Sequence, residues 1–292
     1  MALVRVRSDG RGTDYRPWRG LLESTFRTLY ARDWPARLWA RLPGSCDVEC
    51  SEVQLKVLPP GSAHLRVGFI SDIHIGPTTP QRLLENAFAR LAAARLDVLL
   101  LGGDYVYLDA NEEKAALLAS LVERVPARRK FAVMGNHDLW THHALLEAAL
   151  LRAGVELLCN ESRALDGQVA LIGLDDPWVG HIDARAALQG AGQPAMMIVL
   201  CHSPDGLPAA TEAILRRPHP PPTLFVCGHT HAGQISTPWG PVVVPGRLGK
   251  QFPQGMHTVG PIQLYVSRGV GGVELPVRAY ARPEVVVFEL VP

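Results

Sequence analysis

The sequence predicts an α/β fold, a largely parallel sheet with helices on its faces. Three observations carry this expectation. Short apolar runs, Val67 to Ile70, Asp97 to Leu101 and Lys130 to Met134, read as buried strands. Each is followed by a helical pattern, and strands that alternate with helices argue for parallel pairing. Each run also ends in a polar cluster: Ser71-Asp72-Ile73-His74, then Gly102-Gly103-Asp104, then Gly135-Asn136-His137-Asp138. In such sheets ligands bind beyond the carboxyl ends of the strands, so these clusters can converge.

Taken in order, residues 1–15 are polar and charged and read as a disordered tail. Trp18, Leu21, Leu22, Phe26, Leu29 and Tyr30 then recur at helical spacing. Pro35 interrupts, and Leu38, Trp39 and Leu42 resume the stripe. Arg16, Arg19, Arg27, Arg32, Arg37 and Arg41 lie between them. Such a helix fits a lipid surface, and it fits equally a terminal helix docked on the protein's own core. Val53 to Leu58 alternates as a strand. After His74, Thr79 caps and Pro80 starts a helix whose buried face is Leu83, Leu84, Ala87, Phe88 and Leu91. Further helices are expected near 112–124 and 141–153. The second half is richer in strands, at 155–158, 169–174, 196–201, 223–227, 262–266 and 285–290, with short helices near 183–188 and 206–215. Two of these strands end in Cys201-His202-Ser203-Pro204 and Gly228-His229-Thr230-His231. The closing stretch, 276–292, reads as a strand and its turn without chemistry. The chain divides into an N-terminal extension, 1–60, with the basic helix and a lead-in strand, and a catalytic domain, 61–292.

With 292 residues and 47% hydrophobic content the chain can bury a sizeable core as one large α/β unit. Its net charge of +1 gives no reason to expect nucleic acid as a partner. Five scattered cysteines point to reduced thiols, with Cys46 and Cys50 a weak candidate pair. Arg5, Arg7 and Asp9 interrupt any secretory segment, and no apolar run reaches the roughly 20 residues of a membrane span. The expected location is the cytoplasm, at the inner membrane face if residues 16–42 meet lipid.

The candidate ligands are Asp72, His74, Asp104, Asn136, His202, His229 and His231. They are too many for one four-coordinate ion and suit two ions sharing a carboxylate. Mixed oxygen and imidazole donors favour manganese, iron or zinc over calcium or magnesium. Two such ions about 3.5–4 Å apart can clamp a phosphoryl group and lower the pKa of bound water.

These residues resemble the five motif blocks of the calcineurin-like metallophosphoesterases, in the family's order and across residues 67–234. Gly102-Gly103-Asp104-Tyr105-Val106, His229-x-His231-Ala232-Gly233-Gln234 and Ser267-Arg268-Gly269 are similar to the bacterial YkuE/YaeI-type branch. The resemblance implies a four-layer α/β/β/α sandwich with a dinuclear centre. It implies Asp72, His74 and His231 on the first metal and Asn136, His202 and His229 on the second. Asp104 would bridge, with His137 as general acid and a bridging hydroxide attacking phosphorus in line. Many members carry an aspartate and then an arginine after the bridging residue, the aspartate orienting the catalytic histidine. Tyr107 and Leu108 stand there instead, which leaves His137 to another group, Asp138 or water. Branch relatives point to a lipid-linked substrate such as UDP-2,3-diacylglucosamine, with a soluble cyclic-nucleotide or general phosphodiester as the alternative. A binding scaffold without catalysis is the rival from another class. His64, His142, His143, His219 and His257 read as structural or surface residues, while His181 is a candidate substrate contact.

Overall fold

The protein was analysed as a computed structural model that describes residues 17–292, with side chains from residue 20 onward. The expected polar tail, and the side chain of Trp18, lie outside the described residues. The strands are β1 (Glu49–Lys56), β2 (Leu65–Ile70), β3 (Leu96–Leu101), β4 (Ala127–Ala132), β5 (Val155–Leu157), β6 (Glu161–Ala164), β7 (Val169–Gly173), β8 (Met196–Leu200), β9 (Thr223–Cys227), β10 (Ser236–Thr237), β11 (Gly240–Pro241), β12 (Gly255–Val259), β13 (Ile262–Val266) and β14 (Glu284–Val291).

They form two six-stranded sheets and a small hairpin. The first sheet runs β1-β14-β2-β3-β4-β5, and only the β14–β2 pair in it is antiparallel. The second runs β12-β13-β9-β8-β7-β6, parallel through its centre with antiparallel edges. Side-chain alternation explains the layering. Val98 and Leu100 of β3 and Ile198 and Leu200 of β8 face a core between the sheets, built from strand and loop residues. Leu99 and Leu101 face the opposite way, toward the helices α3 (Gln81–Ala93), α4 (Glu112–Glu123) and α6 (His143–Arg152). Met197 and Val199 likewise meet α7 (Ala184–Gln189) and α8 (Leu207–Leu215) on the far side of the second sheet. The result is helix, sheet, sheet, helix, the expected four-layer sandwich. The central strands β7 and β8, buried on both faces, read as unbroken apolar runs.

Several elements were not anticipated. The strands β6 and β12 are half-exposed edges, and the strand expected at 130–134 begins earlier because Ala127, Arg128 and Arg129 belong to β4. A short helix, α5 (Asn136–Leu139), starts within the third polar cluster.

At the N-terminus, α1 (Pro17–Leu29) and α2 (Trp34–Trp39) dock on the domain at specific points. Tyr30 is buried and its hydroxyl donates to the Glu274 carbonyl at 2.6 Å. Arg27 Nη2 donates to the Leu108 carbonyl, and the Ala36 amide to the Pro77 carbonyl. The apolar stripe is only partly consumed by this docking, since Leu21, Leu29, Trp34, Leu38 and Leu42 remain exposed. Among the described residues, no helix is long and apolar enough to cross a membrane. Cys46 and Cys50, like the other cysteines, are free thiols.

Candidate metal centre

Five loops meet where the two sheets present the carboxyl ends of β2, β3, β4, β8 and β9. Asp72 and His74 lie beyond the end of β2. Both have positive φ, +53° and +46°, in a loop beyond Ile70. Their amides donate to the carbonyls of Gly103 and Asp104, which stitches this loop to the next. Asp104, His229 and His231 also have positive φ. That conformation is unfavourable for side-chain-bearing residues and costs of order 1–3 kcal/mol each. Five instances among seven candidate ligands mark a place where the fold holds side chains against local preference. Close backbone approach is required as well: a Cβ at Gly135 would overlap the carboxylate of Asp104.

The side chains converge as two groups that share one member. Asp72, His74, Asp104 and His231 bring ligand atoms within 4.8 Å of one another, and so do Asp104, His202 and His229. Asp104 Oδ2 lies 3.5 Å from His74 Nε2 and 3.3 Å from His202 Nε2. In the first group His74 Nε2 and His231 Nε2 are 3.1 Å apart, and in the second His229 Nδ1 and His202 Nε2 are 3.2 Å apart. Asn136, next to the residue whose amide bonds Asp104, is buried, and its Oδ1 has no hydrogen-bond partner within the protein. A buried acceptor without a donor is costly. Converging imidazole nitrogens, carboxylates and an orphaned amide oxygen are the donor set that a cation satisfies, so the residues fit a dinuclear site.

Neighbours set the imidazole tautomers. His202 Nδ1 meets the Gly102 carbonyl at 2.8 Å and His74 Nδ1 the Val106 carbonyl at 3.3 Å. An Nδ1–H in each case directs the Nε2 edge toward Asp104. Asp72 is held by the Ser71 hydroxyl at 2.7 Å and the His229 amide at 3.0 Å.

Electrostatics separate the two groups. Burial pushes His74 down to about 4 and His229 down to about 3, and lowers His231 strongly, so these imidazoles are neutral. Burial raises Asp72 to about 6, against the pull of His202. At Asp104 burial opposes ionisation, but His202, His137 and His74 outweigh it and hold the carboxyl well below its usual range. Burial opposes charge at His202 too, yet Asp104 beside it raises that imidazole above its ordinary value.

His137 stands at the rim, half-buried, with its amide donating to Asp104 Oδ1 at 2.9 Å. Its ring packs between Tyr107, at 5.6 Å, and Trp140, at 5.2 Å, and edge-on to His74 at 5.0 Å. Tyr107, in the place of the family's usual aspartate, therefore contributes an aromatic wall. Asp138 serves elsewhere: its carboxylate accepts from the amides of Asp104 and Tyr105 at 2.7 Å and of Gly135 at 3.0 Å, clamping the Asp104 loop to α5.

Two contacts escaped sequence reasoning. Trp178 packs on His229 with ring centroids 4.4 Å apart, and its Nε1 donates to Asp205, which also accepts from the amides of Arg247 and Leu248. It is Trp178 of this loop that meets a candidate ligand, while His181 is exposed. Arg278, in the closing stretch expected to be inert, donates to the His231 carbonyl at 3.2 Å and lies 3.5 Å from His231 Nδ1. It also ties down the carbonyls of Arg268, Gly271 and Ala281. Arg278 follows no apolar run, and Trp178, beyond the run Val169 to Leu174, is no ligand type, so the signal that found the others passes over both.

Comparison with known proteins agrees with this geometry. Residues 65–233 match the family model for calcineurin-like phosphoesterase. The phosphodiesterase YaeI of Escherichia coli is 32% identical over 240 residues, covering 79% of this chain and 83% of the relative. The metallophosphoesterase YkuE of Bacillus subtilis is 28% identical, covering 83% of this chain and 85% of the relative. The UDP-2,3-diacylglucosamine pyrophosphatase LpxG of Chlamydia muridarum is 24% identical, covering 79% and 86%.

Proposed function

The chain belongs to the calcineurin-like phosphoesterase family and is a metal-dependent phosphoric ester hydrolase, and we propose that it cleaves a phosphodiester or pyrophosphate bond in a lipid-linked substrate. In this reading Asp72, His74 and His231 hold one ion, Asn136, His202 and His229 hold the other, and Asp104 holds both. The observation that carries it is the position of Asp104, whose Oδ2 is within 3.5 Å of imidazoles from both groups. Bound manganese, iron or zinc would supply Lewis acidity at the phosphoryl oxygens and water of lowered pKa.

The chain's own residues do the remaining work. The neutral imidazoles and the ionised Asp104 keep their lone pairs available. His137, its ring packed against Tyr107 and Trp140 and its amide bonded to Asp104, stands at the rim, where a general acid would meet a leaving-group oxygen. The clamp of Asp138 keeps Asp104 from rotating away.

The lipid-linked substrate is supported by the relative named for UDP-2,3-diacylglucosamine and by the apolar residues left exposed on α1 and α2. Contact of residues 16–42 with the inner membrane face from the cytoplasm belongs to the same proposal. The relative named as a phosphodiesterase favours a second reading, a soluble phosphodiester. A scaffold without catalysis is disfavoured because all seven ligand positions are filled by ligand types.

The test is hydrolysis of a generic aryl phosphodiester by metal-stripped protein with manganese restored. Manganese-dependent turnover that disappears in Asp104→Ala supports the reading; manganese-independent turnover, or full turnover in the variant, contradicts it.

A further inference from the structure

The metal centre is flanked by a surface that the chemistry above does not use. The hairpin of β10 and β11 projects from the His231 loop with its apolar side chains outward. Trp239 is 92% exposed, Val243 71% and Val242 65%. Ile235, Val242, Val243 and Leu275 line a groove of about 370 Å³ together with His231, so this apolar surface runs directly to the first group of ligands. Scattered exposed apolar residues are ordinary, but a contiguous patch marks a contact with something less polar than water.

From this placement we propose that the β10–β11 hairpin docks the protein on an anionic lipid bilayer, with Trp239, Val242 and Val243 entering the interface. Three observations select a bilayer. Tryptophan at a protruding tip is suited to the boundary between headgroups and acyl chains. Residues 235–250 contain no aspartate or glutamate, and the exposed Arg247 and Lys250 follow the apolar tip, complementary to anionic headgroups. Arg247 is not loosely placed, because its amide and that of Leu248 are anchored on Asp205 at 3.0 and 2.7 Å. Finally, Pro238, Pro241 and Pro245 remove amide donors along the hairpin, which makes its edge a poor template for a partner strand.

The docked N-terminus adds to this face. The Tyr30 hydroxyl bonds to the Glu274 carbonyl, and Glu274 and Leu275 line the same groove, so α1 and α2 are brought to its rim. The inference goes beyond the proposed reaction: it assigns a lipid contact to a hairpin that makes no contribution to the metal ligands, and it stands whichever phosphoester is cleaved.

The experiment is flotation of the full chain with vesicles of phosphatidylcholine alone and of phosphatidylcholine mixed with phosphatidylglycerol. Hydrolysis of a soluble aryl phosphodiester in the same tubes reports the catalytic reading separately. The wild-type chain is expected to float with the anionic vesicles. The variant carrying Trp239→Ser and Val243→Ser should lose about tenfold or more in partition with unchanged hydrolysis, while Trp239→Phe keeps most of the binding. Equal flotation of the double variant and the wild type would overturn the proposal, as would failure of the wild type to float. So would a wild-type dimer that the double variant converts to a monomer, which would make the patch a contact between two copies.

Discussion

The half of the centre around Asp72, His74 and His231 differs from the half around Asn136, His202 and His229 in the charge it offers a cation. With Asp104 shared, the first half presents two carboxylates and the second presents one, and in the proposed assignment its remaining oxygen donor is the neutral amide of Asn136. The surroundings differ as well. Arg278 braces His231 in the first half, while Trp178 covers His229 in the second. Coulomb attraction in a buried site grows with each carboxylate, so the first half is suited to the more highly charged or more firmly held ion. The difference teaches that two neighbouring ligand clusters which share one carboxylate can still differ in the charge they present.

Substitutions can break this comparison at increasing depth. Asp104→Ala has the largest expected effect: turnover of an aryl phosphodiester falls to background, because both halves lose their common donor. Next comes His137→Ala, which should retain the ions and lose about 10²–10⁴ in rate on substrates with poor leaving groups. Equal loss on good and poor leaving groups would argue against a proton-donating role. Asn136→Ala should weaken only the second ion, seen as loss of one equivalent under mild chelation; loss of both would show that the halves are not separable in the way described. A smaller effect is expected from Trp178→Leu, about 10–100-fold in second-ion affinity, because it acts through the position of His229. An unchanged affinity would reduce the indole to a groove wall.

Proton release sharpens the same contrast. In the first half, burial leaves His74 neutral down to about 4, and Asp72, raised by burial to about 6, is ionised at pH 7. The first ion therefore binds near neutrality without displacing a proton, and its affinity falls about tenfold per pH unit below 6 as Asp72 takes one up. In the second half, Asp104 holds the His202 proton above the ordinary imidazole range, against burial. The second ion competes with that proton. Calorimetric titration in buffers of different ionisation enthalpy checks this: the second binding event should depend on the buffer and the first should not.

Much of the centre was legible because ligand residues and strand ends coincide. An apolar run that stops at Asp72, Asp104, Asn136, His202 or His229 announces both a buried strand and a polar group held at its end. What stayed hidden depends on contacts distant in sequence. The pairing of β14 with β1 and β2 joins the two ends of the chain, and nothing local in Val285 to Leu290 specifies its neighbours. Arg278 acts on a residue 47 positions earlier, and Trp178 on one in another loop. The positive φ angles at Asp72 and His74 were illegible for a different reason. Local preference favours extended backbone after a strand, and here the loop hydrogen bonds to Gly103 and Asp104 override it.

The most direct test of the shared carboxylate is the metal content, by elemental analysis, of manganese-reconstituted wild type and Asp104→Ala, with folding of both confirmed by circular dichroism. Two ions per wild-type chain and essentially none in the folded variant is the predicted result. Two ions retained by Asp104→Ala would contradict the bridging role and, with it, the joined pair of half-sites.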